Sequence, residues 1–303
     1  MPLDIIRRLL TPILDPVPTS RYPSVAPLLQ PATRGLPEVD LTACRQDGAC
    51  IDVCPTGAIE LAADDRAADA HADADADASA GSSRAWSVDA GKCIFCGACA
   101  IACPNAAIRM SSRVELAATD RAALVERGGA SEPSPDAERL RSGIAGRFGR
   151  SLHVRHLDTG SCNGCDWEIA ALLNPYHDLQ RFGIDFVASP RHADLLLVTG
   201  VMTANLAEAA RRTYEAMPEP RLVVAVGACA ISGGVFAGAP GCANGVAGEL
   251  PVDVFVPGCP PRPEALIEGM LTAIETRRAG PRAGASTGQD ELRGRARTGS
   301  VEW

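Results

Sequence analysis

Aromatic residues are scarce in this 303-residue chain, at 4% against a hydrophobic content of 46%. Any core must therefore come mainly from Ala, Val, Leu and Ile. A basic excess is missing as well. Lys and Arg number 29 against 37 Asp and Glu, a net charge of −8, which argues against nucleic-acid binding, since that needs a basic face. No apolar run approaches the ~18 residues that a membrane-spanning helix requires. Arg7-Arg8 resembles the start of a twin-arginine leader, but Pro12, Pro16 and Pro18 interrupt the residues after it. No continuous apolar region precedes a small-residue cleavage site. The expectation is a cytoplasmic chain, in which cysteine is not spent on disulfides.

Cysteine is what the chain has in quantity, and eleven of its 12 cysteines fall into three spaced sets. Cys93-x₂-Cys96-x₂-Cys99-x₃-Cys103-Pro104 is complete. Cys44-x₂-Asp47-x₂-Cys50-x₃-Cys54-Pro55 carries Asp47 where a second sulfur would stand. The third set is dispersed: Cys162-x₂-Cys165, then Cys229, then Cys259 in Pro-Gly-Cys-Pro-Pro. Thiolates at this density point to iron–sulfur clusters and to electron transfer.

The first two sets belong to an internal repeat. Residues 44–61 match 93–110, with Cys44/Cys93, Gly48/Gly97, Cys50/Cys99, Cys54/Cys103, Pro55/Pro104 and Ile59/Ile108 coincident. Between them lies an Asp/Ala insert. Residues 64–84 hold six Asp against Arg66 and Arg84, a net of −4, and such a segment cannot bury apolar surface. Residues 1–37 read as an arm, with a weakly amphipathic helix over 3–14, either packed on its own domain or a foot on a membrane subunit or lipid surface, and a proline-rich stretch after it. The duplicated domain spans 38–115, a polar linker 116–150, and a Gly/Arg/Ser-rich tail 279–303.

Residues 151–278 have a different texture. Apolar strands at Ser151–Leu157, Leu195–Thr199, Leu222–Val226 and Val252–Val256 alternate with helices at 166–173, 205–217 (Asn205 as N-cap) and 264–276. That alternation predicts a mainly parallel, helix-covered sheet. The expected class is thus an α+β ferredoxin-like domain followed by an α/β domain.

In a duplicated ferredoxin each cluster takes three ligands from one motif and the fourth from the other. One site is then Cys93, Cys96, Cys99 and Cys54, a full [4Fe–4S] set. The other is Cys44, Cys50 and Cys103 with Asp47 at the fourth corner. Carboxylate is a harder, weaker ligand for this iron. That site holds a [3Fe–4S] cluster, or a [4Fe–4S] cluster with Asp47 or solvent on one iron, or interconverts. The competing reading of Cys-x₂-Cys pairs is structural zinc; two interlocked sets ending in Cys-Pro favour clusters. Cys162/Cys165, Cys229 and Cys259 each follow a predicted strand. The carboxyl edge of a parallel sheet is where sites assemble, so these four are expected to share a third cluster. Cys242 is left over and reads as structural. His71, His153, His156, His177 and His192 form no ligand-spaced pair.

With these residues in view, the stretches SCNGCDWEIAALLNPYHDLQRFGIDFVASPRHADLLLVTG, VAVGACAISGGVF and LPVDVFVPGCPPRPEAL resemble the small subunit of group 4 [NiFe] hydrogenases of the formate hydrogenlyase type. That subunit is similar to the 20 kDa subunit of respiratory complex I. The resemblance covers about 150–278. Residues 1–125 resemble the two-cluster ferredoxin-like subunit of the same complexes, so the chain looks like two subunits fused. The resemblance implies an electron-transfer oxidoreductase subunit lying peripherally on the cytoplasmic face of the cell membrane. Its implied partners are a large catalytic subunit, membrane-arm subunits and an electron-donor subunit or ferredoxin. The cluster on Cys162, Cys165, Cys229 and Cys259 would be the proximal one. The Cys162–Cys165 spacing favours the hydrogenase branch, because the complex I branch has adjacent cysteines there; a quinone-reducing or nickel-free relative is the alternative. Asp166 and Glu168 are candidates for a proton relay or for tuning the cluster, against a helix N-terminal role. Arg191 either places positive charge near the cluster or serves an ion pair.

Overall fold

The computed structural model describes residues 18–63, 84–128 and 151–279. The expected helix over 3–14, the acidic insert before Arg84, residues 129–150 and the tail after 279 lie outside the described residues.

The duplication is visible in the first part as two matching halves. Strand β1 (Pro37–Val39), helix α1 (Ala49–Asp52) and β2 (Ile59–Ala63) form one half. Strand β3 (Arg84–Asp89), α2 (Ala98–Ala102) and β4 (Ile108–Met110) form the other. The halves interlock rather than pairing within themselves: β1 runs antiparallel to β4 and β2 antiparallel to β3. Strand β5 (Val125–Arg127) extends the second sheet beside β3. Trp86, 2% exposed, is the largest side chain filling this small core.

The second part is the predicted parallel sheet. Its strands are β6 (Leu152–Asp158), β7 (Ile184–Phe186), β8 (Leu195–Thr199), β9 (Leu222–Val226) and β10 (Val254–Val256), in the order β10-β9-β8-β6-β7, all parallel. Its helices are α3 (Gly164–Ala171), α4 (Ala204–Glu215), α5 (Gly227–Ser232) and α6 (Pro263–Ala279). The central strands are apolar throughout because both faces are covered. Along β8, Leu195 and Leu197 pack with Ile169, Leu172, Leu266 and Met270 from α3, α6 and the turn after α3. Leu196 and Val198 face the other way, against Ala207, Ala210 and Tyr214 of α4. Truncating any of these fully buried leucines to Ala should cost about 2–5 kcal/mol.

That second face is also where the two parts meet. Leu36, Val39, Trp86 and Val88 share one apolar cluster with Leu196, Val198, Ile231 and Phe255. Ser232 Oγ donates to the Gly91 carbonyl at 3.0 Å. The segment before β5 runs along the free edge of β10, where Ala118 and Phe255 exchange N–H···O bonds of 3.0 and 2.8 Å. Residues 116–128, expected as the start of a linker, are therefore built into both parts, with Leu116, Ala117 and Leu124 buried.

Smaller departures have local causes. Helix α3 begins at Gly164, two residues before the expected start. Helix α4 is entered from Thr203, whose extended backbone (φ −72°, ψ 149°) makes it the N-cap in place of Asn205. Strand β10 begins at Val254 because the Asp253 carboxylate accepts the Val223 N–H at 2.9 Å, replacing a ladder bond. Strand β7 has no counterpart among the expected strands; only three residues long, it gives no alternation to read.

Candidate iron–sulfur centres

In each half of the repeat a left-handed residue aims the loop before its short helix. Gln46 and Gly48 in one half, and Phe95 and Gly97 in the other, have positive φ. Cys54, Cys93, Cys96 and Cys99 line one cavity together with Pro37, Ile59, Ile94 and Met110. The four sulfurs assigned to one cluster thus face a common, largely apolar space, three from one motif and one from the other. Backbone N–H groups point at sulfur there: Ala58 N lies 3.2 Å from Cys54 Sγ and Phe95 N 3.4 Å from Cys93 Sγ.

Electrostatics tell the same story. Burial pushes the Cys93 thiol up to about 12, and the neighbouring sulfurs of Cys99, Cys54 and Cys96 push the same way. Cys99 rises to about 11, again chiefly by burial. At Cys54 burial opposes ionisation, but the N–H groups of Thr56 and Ala58 together outweigh it and lower the pKa. Such clustered, buried thiols stay protonated without metal, and an iron–sulfur cluster would hold them as thiolates and share their charge. The residues fit an iron–sulfur cluster.

In the other half Asp47 stands in the loop that Cys96 occupies in its twin. Its Oδ1 accepts the Ala49 N–H at 3.1 Å. It is near enough, with Cys44, to raise the Cys50 thiol, although burial is the main cause. Cys103 Sγ accepts the Ala107 N–H at 3.3 Å, repeating the Cys54 arrangement.

The dispersed set converges as topology requires. Cys162 and Cys165 follow β6, Cys229 follows β9 and Cys259 follows β10, all at the carboxyl edge of the sheet. Burial raises the Cys165 thiol, and Cys229, Cys259 and Cys162 add to the shift. Burial likewise takes Cys229 to about 11, with Cys259 and Cys162 contributing. Burial also raises the Cys259 thiol, with smaller contributions from Cys162 and, from the other part, Cys96. Gly227 shows how tight this cradle is: at φ +85°, an added Cβ would lie 2.8 Å from Cys165 Sγ. Only glycine lets the backbone come this close. Among the described residues, no three His, Cys, Asp or Glu side chains gather tightly enough for a single metal ion. A cubane spreads its thiolates more widely than one tetrahedral ion does.

Asp166 lies next to Cys165 in a polar nest that the sequence did not reveal. Its Oδ1 is 3.0 Å from His156 Nε2, and its Oδ2 accepts from Ser161 Oγ at 2.6 Å. His156 also meets Thr199 Oγ1 at 3.0 Å, and burial lowers its pKa although Asp166 pulls the other way. Glu168 is half-buried; burial raises it and Arg262 opposes the rise. Arg191 and His192 are exposed. Cys242 is half-buried and bridges to Thr203 through the backbone. Two carboxylates on α6, Glu264 and Glu268, are 3% and 0% exposed. No spacing rule marks them.

The fold and its cysteine sites define an iron–sulfur protein of two joined modules, and comparison with known proteins agrees. Residues 162–273 match the family described as NADH ubiquinone oxidoreductase, 20 kDa subunit, and residues 42–107 match the 4Fe-4S dicluster domain. The chain is 52% identical over 128 residues to a probable membrane-bound hydrogenase subunit, mbhJ, of Pyrococcus furiosus, covering 42% of this chain and 77% of that one. It is 42% identical to formate hydrogenlyase subunit 7 of Escherichia coli, over 45% of this chain and 53% of that one. It is 51% identical to an NADH-quinone oxidoreductase subunit of Desulfovibrio desulfuricans, over 37% of this chain and 60% of that one. The chain belongs to the NADH ubiquinone oxidoreductase 20 kDa subunit family, with a dicluster ferredoxin domain in front.

Proposed function

We propose that this chain is the electron-transfer subunit of a membrane-associated complex of the group 4 hydrogenase type. In this reading Cys93, Cys96, Cys99 and Cys54 hold one [4Fe–4S] cluster. Cys44, Cys50, Cys103 and Asp47 hold a [3Fe–4S] or Asp-ligated [4Fe–4S] cluster. Cys162, Cys165, Cys229 and Cys259 hold a proximal [4Fe–4S] cluster. When bound, such clusters supply one-electron transfer. What the protein supplies is position. A shared cavity carries the reading: Ile94 and Phe95, inside the Cys93–Cys96 loop, line it together with Cys259, which supports setting the complete ferredoxin site beside the sheet-edge site. Cys99 in turn feels Cys50, which leaves the Asp47 site at the far end of a row of three. The shared apolar core fixes that row, as a wire requires.

The catalytic centre then belongs to a partner large subunit. Cys162 and Cys259 are exposed, and Trp167 beside them is 76% exposed, a face suited to being covered. Membrane-arm subunits and an electron donor complete the proposed assembly, on the cytoplasmic face. No helix among the described residues is long and apolar enough to cross a membrane. The likeness to the NADH-quinone oxidoreductase subunit supports a second reading, a quinone-reducing or nickel-free complex.

Anaerobic purification tests both levels. Roughly eleven to twelve iron atoms with matching acid-labile sulfide per chain are expected for three clusters; zinc without sulfide would end the cluster reading. A co-purifying large subunit with two Cys-x₂-Cys pairs and stoichiometric nickel supports the hydrogenase. A large subunit lacking both would favour the second reading.

A further inference from the structure

One side of α6 is built unlike the rest of its packing. Glu264, Glu268 and Thr272 are spaced four apart, so they share a face, and they are 3%, 0% and 3% exposed. Carboxylates in an apolar core are costly unless paired or neutral, and nothing in sheet covering needs them. At the start of the row, Arg262 Nε lies 3.4 Å from Glu264 Oε2, and the same pair is felt by Glu168 on α3. His177, after α3, is 8% exposed and feels Glu264, Arg262 and Arg181. Further along, Glu268 Oε2 accepts the Ala117 N–H at 3.3 Å. Two residues earlier on that extended segment, Glu115 accepts from Tyr22 Oη at 3.1 Å. Arg181 donates to the carbonyls of Ser20 and Tyr22, holding the N-terminal segment over this end.

Three atoms of the row are shut from solvent without a hydrogen-bond partner: His177 Nδ1, Thr272 Oγ1, and Glu264 Oε2, which is ion-paired but not hydrogen-bonded. Buried polar atoms are ordinarily paired, and exceptions mark redox or catalytic roles or bound water. The face therefore holds two buried titratable groups, Glu264 and Glu268, with His177 electrostatically coupled to the first. One of its ends lies three residues beyond Cys165.

We propose that Glu264, Glu268 and His177 form a buried proton-exchanging row linking Glu168, beside the four-cysteine site, with the Glu115–Tyr22 pair under the N-terminal segment. The inference rests on the reading that Cys162, Cys165, Cys229 and Cys259 hold a redox centre. One electron arriving there adds one negative charge in a low-dielectric surrounding. A carboxylate of the row takes up one proton from water (COO⁻ plus H⁺ giving COOH) and releases it when the electron leaves. No bond between heavy atoms changes. His177, held neutral by its burial, can accept a proton on one ring nitrogen and donate from the other. The chain would then move a proton in step with each electron, a role separate from holding clusters.

Redox-difference infrared spectra of the full, cluster-loaded chain test this without any partner. Reduction should raise a carbonyl band of protonated carboxylic acid that shifts down in D₂O. It should also shift on labelling with ¹³C-glutamate, and be lost in Glu264→Gln or Glu268→Gln while the visible bleaching of the clusters is unchanged. The isotope label keeps the test decisive if a Gln variant does not fold. Normal bleaching with no such band, a band insensitive to the glutamate label, or one that survives both Gln variants would overturn the row. Absence of bleaching would instead sink the cluster reading.

Discussion

In the first half of the ferredoxin repeat Gln46 and Gly48 sit at φ 56° and 84°; in the second half Phe95 and Gly97 sit at 56° and 78°. The sulfurs that close the halves, Cys54 and Cys103, accept N–H bonds of 3.2 and 3.3 Å from the fourth residue after each. Yet one half has Cys96 and the other Asp47. The backbone does not register the exchange, because Asp47 takes up a local task, accepting the Ala49 N–H. The loop is thus specified by its left-handed positions and its Cys-Pro terminus, not by the second ligand. The half that keeps all its sulfurs also supplies Ile94 and Phe95, which share a cavity with Cys259 of the sheet-edge set. In the proposed row the lost sulfur falls in the half at the far end.

The harshest way to break this comparison is to cut the crossing of ligands. Cys54→Ser should remove the complete site's cluster, taking about four iron atoms per chain, although Cys54 belongs to the Asp47 half. Cys103→Ser should remove the other. Iron analysis and EPR distinguish them, and an uncrossed outcome, with Cys54→Ser silencing the Asp47 site, would refute the assignment. A milder change is Asp47→Cys. It should convert a [3Fe–4S] or atypical signal into an ordinary reduced [4Fe–4S] spectrum; unchanged spectra would count against Asp47 occupying a ligand position.

Acid–base behaviour sharpens the contrast further. Cys93 and Cys99, pushed up to about 12 and about 11 by burial, are thiols in the iron-free fold at neutral pH. Their folded values exceed the ordinary thiol value of 9.0, so the stability they lend is fully present below pH 9. It drains away as pH rises through 11 and 12. The iron-free chain should therefore lose melting temperature above pH 9. The loaded chain, whose thiolates are already ionised on iron, should lose much less. Equal losses would remove the argument that burial opposes ionisation here. Smaller again is the cost of side chains at the two matching glycines. At Gly48 an added Cβ meets nothing within 4 Å, and at Gly97 its nearest neighbour is Met110 at 3.6 Å. Each Gly→Ala should cost about 1–2 kcal/mol from backbone conformation alone, by denaturant titration of matched samples. A large difference between the two would show that the halves are less alike than their angles.

Much of this was legible in the residues, for identifiable reasons. Cysteine spacing makes the two repeat sets stand out in the sequence, whereas the dispersed set needed the strand ends that bring Cys162, Cys165, Cys229 and Cys259 to one sheet edge. The parallel sheet was legible because β8 and β9 are buried on both faces and so are apolar without interruption. What the sequence hid depends on distant covering. Residues 116–128 look like linker because their partners, Phe255 and β3, lie elsewhere in the chain. Glu264 and Glu268 look like a solvated stripe on α6 until Arg262 meets the first and the segment around Ala117 closes over the second. His156 forms no ligand-spaced pair, and only strand pairing of β6 with β8 brings it to Thr199 and Asp166.

The finest test asks whether Asp47 serves iron or backbone. Asp47→Asn keeps an oxygen for the Ala49 N–H but removes the charge and most of the affinity for iron. Asp47→Ala removes both. If Asp47 matters only as the acceptor in its turn, Asn should be neutral in stability and in EPR. Ala should then cost about 0.5–1 kcal/mol, the usual net worth of one exposed hydrogen bond. That would appear as roughly a 2 °C drop in melting temperature for a protein of this size. If it also binds the cluster, Asn and Ala should alter the EPR signal alike while differing in stability by that same amount. The two roles thus separate on two independent readouts. The bond lies just ahead of α1 (Ala49–Asp52), whose N-cap, Gly48, has no side chain to take it over.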